Sequence, residues 1–323
     1  MKLGVFLLTE NYHKNPHIAI LNDVELAVYA ESLGFDEVWF AEHHFNSFSV
    51  IPNPSLMMTY VAAKTSKIRI GSAAFLAPFY HPLRLAEEIS TLDNLSTGRV
   101  NAGFAKGGFA LDLKNFQASS EELRVRLFNN VKEIDETLYK KEEFYPKPIQ
   151  SKIPFYIATF SSKESIEFAA KNNYGLMFSQ GATIEECEEA VAYYKQLSGL
   201  EPEVVLMRVF YTSHNSVEAY ENAVVATDHF IKSMRSLNAF KEQPSFNQAN
   251  YTALLDQRYQ FFDAKKFMSC AVVGNVHECK AQILEIKRRI KNLHLVLKPA
   301  SVDARRIRTT LKLFHKEIQP YIK

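Results

Sequence analysis

Leu3-Gly4-Val5-Phe6-Leu7-Leu8 is a continuous apolar run near the start of the chain, and Thr9-Glu10-Asn11-Tyr12 follows it directly. A run that is apolar on both faces is typical of a strand buried in a parallel sheet. An open nucleotide-binding sheet would favour a G-x-G-x-x-G loop at this point, and the sequence has none. This stretch therefore favours a closed barrel over an open sheet.

Seven further apolar runs follow, and amphipathic segments that fit helices separate nearly all of them. The predicted strands are residues 35–40, 68–74, 99–104, 155–158, 174–178, 204–211 and 293–297. Alternation of strands and helices predicts a parallel sheet with right-handed crossovers. Eight such units in 323 residues predict an α/β fold, the (β/α)₈ TIM barrel.

The segment 236–270 interrupts this alternation before the eighth predicted strand and is rich in Phe and Tyr. A long insertion near the end of a barrel is commonly a lid over the active site. A helix that packs on the outside of the barrel would have the same composition, so both interpretations stay open. We expect a single domain over residues 1–323 that contains this insertion.

Composition and charge argue against nucleic-acid binding, a membrane-spanning helix and a metal site formed by cysteines. The formal net charge of +2 requires no particular partner, although residues 280–323 carry 12 Lys and Arg against 3 Asp and Glu. No aromatic stacking motif is interleaved with these charges, so we expect solvated helix faces rather than nucleic-acid binding. No run reaches the ~18 apolar residues of a membrane helix. The three cysteines have no metal-like spacing and fit reduced thiols, which predicts a cytoplasmic protein.

Candidate catalytic residues follow the second predicted strand. Active-site groups of a TIM barrel lie at the carboxyl ends of the strands and in the loops after them. Glu42, His43 and His44 occupy this position. Histidine suits proton transfer because its ordinary pKa lies near neutrality. The alternatives are a histidine that only bonds within its loop, or a metal ligand, and no further ligand accompanies the pair at metal spacing.

Two adjacent strands are followed by loops that suit an anion. Lys106, with two glycines after it, can bring a charge and free N–H groups to a phosphate. Ser161, Ser162 and Ser165 follow the next strand, where the N-terminus of a helix attracts anions. Ser161 with Glu164 is also a plain capping box, which needs no ligand. The informative observation is that both loops come after neighbouring strands.

Taken in order, these residues resemble the bacterial luciferase family of flavin-dependent monooxygenases, and within it the catalytic α subunit. The similar stretches cover nearly the whole chain: residues 2–9, 34–39, 42–45, 53–54, 71–74, 81–84, 92–99, 312–314 and 320. The order of Glu-His-His-Phe, Asn-Pro and Leu-Asp-x-Leu-Ser-x-Gly-Arg makes the resemblance specific.

The resemblance implies a TIM barrel that receives reduced FMN from a separate NAD(P)H:flavin reductase. Oxygen then forms a C4a-peroxyflavin, which oxidises a small organic substrate, an aldehyde in the luciferases. His43 would be the catalytic histidine, oriented by Glu42 and His44. The family often has a cis peptide bond after the third strand, which falls on Ala73–Ala74. Relatives also pair through helices near the second and third strands, so we expect a homodimer or a heterodimer.

The resemblance also implies which residues hold FMN: Ala73, Ala74, Lys106, Gly108, Phe109, Ser161, Ser162 and Ser165. The chain departs from the luciferases at three positions. Lys106 stands where they have Arg, Ala105 where they have a cysteine, and Phe160 where they have an acidic residue. Two other functions stay open: a non-catalytic flavin-binding protein or heterodimer partner, and a deazaflavin-dependent oxidoreductase of the same fold.

Overall fold

A computed structural model of the chain describes residues 1–159, 162–236 and 263–322. The strands in this part of the chain are β1 (Lys2–Leu7), β2 (Glu37–Phe40), β3 (Arg69–Phe75), β4 (Val100–Phe104), β5 (Phe155–Ala158), β6 (Gly175–Phe178), β7 (Val204–Ser213), β8 (Val272–Asn275) and β9 (Leu293–Pro299). All except β8 form a closed parallel ring, because β6 pairs with β7 and β9 pairs with both β7 and β1. The predicted TIM barrel is confirmed.

Helices surround this ring. They are α1 (Pro16–Ser32), α2 (Pro54–Ala62), α3 (Pro82–Leu95), α4 (Ala110–Asn115), α5 (Leu123–Lys140), α6 (Lys163–Asn172), α7 (Ile184–Ser198), α8 (Ser216–Ser236), α9 (Ala264–Ser269), α10 (Val276–Arg289), α11 (Ala304–Glu317) and α12 (Gln319–Ile322). Local sequence fixes where several of them begin. Asn15 and Asn53 each accept a backbone N–H of the first turn, and a proline opens the helix that follows.

The amino end of the barrel is filled by side chains. The buried indole of Trp39 packs edge-on against Tyr156, with ring centroids 5.5 Å apart. A Cβ on Gly71 would lie 2.3 Å from this indole, so only glycine fits beside it. Large side chains therefore fill the ring at the amino ends of the strands, and space for a cavity is left at the carboxyl ends.

A buried polar network lies below Trp39. The Glu37 carboxylate accepts hydrogen bonds from Trp39 Nε1 and Asn101 Nδ2, both at 3.1 Å, and it pairs with His294 Nδ1 at 3.1 Å. Burial would raise the pKa of Glu37, but the bond from His294 outweighs it and the pKa is lowered. A buried charge of this kind is stable only when its partners are complete.

Strand β8 lies outside the ring and pairs with Phe210–Ser213, the last residues of the long strand β7. Of the predicted insertion 236–270, residues 237–262 lie outside the described residues, whereas 264–269 form α9. The choice between a lid and an outer helix therefore stays a prediction. In the described ranges, no helix has the length and apolar character needed to cross a membrane.

Candidate active site

A cavity of about 420 Å³ opens at the carboxyl ends of the strands. Ligand pockets typically measure ~300–1,000 Å³, so its size suits a cofactor or a substrate. It brings together most residues proposed from the sequence: Glu42, His43, Ala73, Ala74, Lys106, Gly108, Phe109, Ser162 and Ser165. Ser161 lies outside the described residues, and His44 sits behind Glu42.

His43 borders this cavity with its ring fixed from behind. Its Nδ1 lies 2.6 Å from Ser49 Oγ, and its backbone N–H donates to the Ile51 carbonyl at 2.9 Å. Burial, with a smaller contribution from the neighbouring His44, lowers the pKa of His43 from 6.5 to about 4. The imidazole is therefore neutral at pH 7 and can accept a proton or a hydrogen bond.

Glu42 bonds to His44 and not to His43. Its Oε1 lies 2.7 Å from His44 Nε2, and its Oε2 accepts hydrogen bonds from Tyr80 Oη at 2.8 Å and Leu76 N at 3.2 Å. Burial raises the pKa of Glu42, although the bonds from His44 and Tyr80 oppose this shift. Glu42 and His44 thus brace the loop, and Ser49 makes the hydrogen bond to His43.

Small side chains line the cavity beside His43. The peptide bond between Ala73 and Ala74 is cis, as the resemblance implies, and the register of β3 against β4 shifts between Ser72 and Phe75. Ala105 and Ala158 extend this surface at the ends of the next two strands. Methyl groups leave room for a flat ligand to lie against the backbone.

A cationic cluster with hydroxyls lies at the β4–β5 side of the cavity. Arg124 of α5 donates from Nη1 to Ser162 Oγ, and the same atom lies 3.4 Å from Ser165 Oγ and 3.3 Å from Glu164 Oε2. The pKa of Glu164 is lowered first by its own backbone N–H, then by Ser162, Arg124 and, more weakly, Lys106. Two cations and two hydroxyls at the start of α6 are the groups that bind a phosphate.

Apart from Ser179 and Gln180, which follow β6, the opposite side of the cavity is apolar. The residues there come from β1, β6, β7, α8 and α9: Phe6, Met177, Met207, Phe230, Met234 and Phe267. Methionine is flexible and adapts to irregular ligands, and phenyl rings contribute large apolar area. The charged lining residues that the structure describes are grouped on the side of β2, β4 and α5.

Two residues of this arrangement were not predicted from the sequence. Arg124 lies in the first turn of helix α5 and not in a loop that directly follows a strand. Ser49 lies six residues after His43 in a loop without a motif. The sequence offered one signal for Arg124, its positive charge near the start of an amphipathic helix. It offered no signal for Ser49. Groups of three or more residues able to hold a metal do not occur among the described residues.

The fold and the cavity define an α/β barrel with the layout of an enzyme: a polar site at the carboxyl ends of the strands, and a packed amino end. The chain belongs to the luciferase-like monooxygenase family, whose model matches residues 1–290. This confirms the resemblance drawn from the sequence. Membership indicates a flavin-dependent monooxygenase or oxidoreductase.

Individual relatives support this placement. The chain is 26% identical to the oxygenase component of flavin-dependent trigonelline monooxygenase from Acinetobacter baylyi, over 79% of this chain and 76% of that protein. It is 37% identical to the alkanal monooxygenase alpha chain of Photorhabdus luminescens, but only over 36% of this chain and 32% of that one. The monooxygenase RslO1 of Streptomyces bottropensis has the same fold, with a TM-score of 0.84 and 22% identity over the whole of both chains.

Proposed function

We propose that the chain is the oxygenase component of a two-component flavin monooxygenase. It would bind reduced FMN supplied by a separate NAD(P)H:flavin reductase and use O₂ to oxidise a small apolar organic substrate. One observation carries the proposal. A single cavity has a phosphate-type cluster on one side, a neutral histidine in its lining and a mainly apolar wall on the other side.

The residues of the cavity fit FMN. Lys106, Arg124, Ser162 and Ser165 would hold the phosphate, because cations and hydroxyls are its usual partners. The glycines at 107 and 108 have φ of 67° and 116°, a backbone conformation that L side chains rarely adopt. The alanine surface near His43 would accommodate the ring system. Lys106 stands where the luciferases have arginine, so the positive charge is kept but a bidentate contact to the phosphate is lost.

When bound, reduced FMN supplies the electrons for the activation of oxygen. The protein contributes three effects of its own. Lys106 and Arg124 neutralise a phosphate and so fix one end of the cofactor. His43 presents a neutral imidazole that can hold a proton at the cavity rim. The apolar residues exclude water from the region where the substrate would lie.

Anaerobic binding followed by rapid mixing with oxygen tests this function. The purified protein is titrated with reduced FMN, reduced riboflavin and a reduced deazaflavin, and each complex is then mixed with O₂ in a stopped-flow spectrometer. We expect tight binding of reduced FMN and an oxygen-dependent absorbance transient that free FMN does not give. Selective binding of the deazaflavin without reaction with oxygen would instead support the deazaflavin-dependent alternative.

His43→Ala separates an enzyme from a non-catalytic flavin-binding protein. We expect FMN affinity to change little, because the proposed phosphate contacts lie elsewhere, while turnover falls by about 10²–10⁴-fold, the usual contribution of general acid–base catalysis. Unchanged turnover and an unchanged oxygen transient would argue against the proposed role of His43.

We also propose that the chain pairs through α2 and α3. Leu56 and Tyr60 are 71% and 49% exposed and share one face of α2, while Leu95 at the end of α3 is 60% exposed. Two large apolar side chains exposed on one face of α2, with a third exposed at the end of the neighbouring α3, favour an interface. Light scattering with Leu56→Glu tests it: we expect a dimer for the unmodified chain and a monomer for the variant.

A further inference from the structure

Ser49 occupies an unusual position between two polar atoms. Its side chain is buried, and its Oγ lies 2.6 Å from His43 Nδ1 and 2.5 Å from the Leu8 carbonyl oxygen. A hydroxyl has one hydrogen, and a carbonyl oxygen can only accept one. The hydroxyl hydrogen of Ser49 must therefore point at Leu8, since otherwise two oxygen lone pairs would face each other at 2.5 Å. The Ser49 oxygen is left to accept a hydrogen bond from His43.

This assignment fixes the proton on the imidazole. If Ser49 accepts, His43 carries its hydrogen on Nδ1, and the neutral ring then has a lone pair on Nε2. His43 lines the cavity, and hydrogen bonds of its Nδ1 and backbone are the ones seen among the described residues. Burial lowers the pKa of His43 to about 4, so the neutral form is the relevant one at pH 7.

Ser49 itself is held firmly. Its backbone N–H donates to Asn46 Oδ1 at 2.6 Å, and it forms an antiparallel bridge with Glu10 of the loop after β1. Two further backbone bonds join the same loops: Asn11 N to Phe48 O at 2.7 Å and Val50 N to Thr9 O at 3.3 Å. The pairing holds the segment around Ser49 against the residues that follow Leu8.

We propose that Ser49 is a positioning residue that holds His43 as the Nδ1–H tautomer, with Nε2 as a proton acceptor facing the cavity. The proposal rests on the proposed function only for the role of His43 in the reaction, because the tautomer itself is a property of the flavin-free chain. The proposal also restricts the role of His43 in the reaction. At neutral pH, Nε2 first accepts a proton or a hydrogen bond, and it can donate a proton only after it has accepted one.

Nitrogen NMR of the flavin-free protein measures the tautomer directly. Long-range ¹H–¹⁵N correlations of histidine-labelled protein distinguish a protonated from an unprotonated ring nitrogen, and His43→Ala assigns the signals. We expect a protonated Nδ1 and an unprotonated Nε2 at pH 7. A hydrogen on Nε2 in the unmodified protein would overturn the proposal, whether or not flavin binds.

Ser49→Ala then tests the cause. Removing the acceptor should shift the ratio of the two tautomers by up to about tenfold toward Nε2–H, the effect of one hydrogen bond. Ser49→Thr keeps the hydroxyl and should keep the Nδ1–H tautomer, while Ser47→Ala, an exposed serine on the same loop, should change nothing. An unchanged ratio in a folded Ser49→Ala protein would contradict the proposal.

Kinetics provide a second readout. Ser49→Ala should lower turnover with little change in FMN affinity, and adding it to His43→Ala should cause no further loss, because both changes act through one group. Additive losses would assign Ser49 a purely structural role. Failure of reduced FMN to bind the unmodified chain would refute the proposed function but leave the NMR result standing.

Discussion

Arg124→Ala is the most direct test of the proposed phosphate site. Arg124 contacts both hydroxyls of the cluster, Ser162 and Ser165, from a single nitrogen, and it also lies 3.3 Å from the Glu164 carboxylate. In the FMN complex this guanidinium would face the phosphate. The variant removes that charge and leaves the hydroxyls and Lys106 in place, so it tests the contribution of one cation.

The size of the effect follows from the exposure of the side chain. A hydrogen bond to a charged group contributes about 1.5–3 kcal/mol. The side chain of Arg124 is 34% exposed, so solvent weakens the interaction and the lower part of that range applies. A loss of about 1.5–2 kcal/mol corresponds to about 10–30-fold weaker FMN binding. Riboflavin lacks the phosphate, so its affinity should change little.

Fluorescence titrations of FMN and riboflavin against both proteins measure these ratios. Arg126→Ala is the matched control, because it removes the same charge two residues further along α5, about 200° around the helix and away from the cavity lining. We expect FMN affinity to be unchanged in the control. Equal losses for FMN and riboflavin, or equal losses in the two variants, would refute the assignment of Arg124 to the phosphate.

Three further predictions concern other parts of the chain. Lys106→Ala should weaken FMN far more than riboflavin in the same titrations, and Lys106→Arg should preserve FMN binding; equal losses for both flavins would contradict this. Gly71→Ala should lower the free energy of unfolding in urea by about 1–3 kcal/mol, because the added Cβ would meet Trp39 at 2.3 Å. Contact with His294 lowers the pKa of Glu203 from 4.5 to about 2, so the folded protein binds fewer protons than the unfolded one in this range. Stability should therefore fall as pH drops from about 4.5 toward 2, and Glu203→Gln should flatten that slope.

The eight strands of the ring were predictable because each is a buried apolar run between helices. A parallel barrel strand has the ring interior on one face and helices on the other, so hydrophobicity alone marks it. Strand β8 was not predicted from the sequence. It has only four residues, which include Gly274 and alternate between buried and partly exposed, so it does not form a continuous buried apolar run. Its pairing with the end of β7 depends on the length of β7, which exceeds that of its neighbours in the ring.

The candidate site was predictable only in part, for a related reason. The position of strand ends locates loops, and it therefore located His43, Lys106, Ser162 and Ser165. It does not locate groups that reach the cavity from a helix or that support another side chain from behind. Arg124 belongs to the first kind and Ser49 to the second. Each contacts a residue that is far away in the sequence: Arg124 contacts Ser162, and Ser49 contacts Leu8.

The division of the cavity limits the substrate. Apart from Ser179 and Gln180, which follow β6, the described lining residues on the side of β6, β7, α8 and α9 are apolar, and none of them carries a charge. An ionised group moved there would lose its hydration without an opposite charge to compensate it, which costs far more than apolar contact returns. The cationic cluster does not relieve this cost if it holds the cofactor phosphate. A substrate bound between His43 and the apolar wall should therefore be uncharged at its reacting end, and a hydrogen-bond donor at that end would be the natural partner of the lone pair on His43 Nε2.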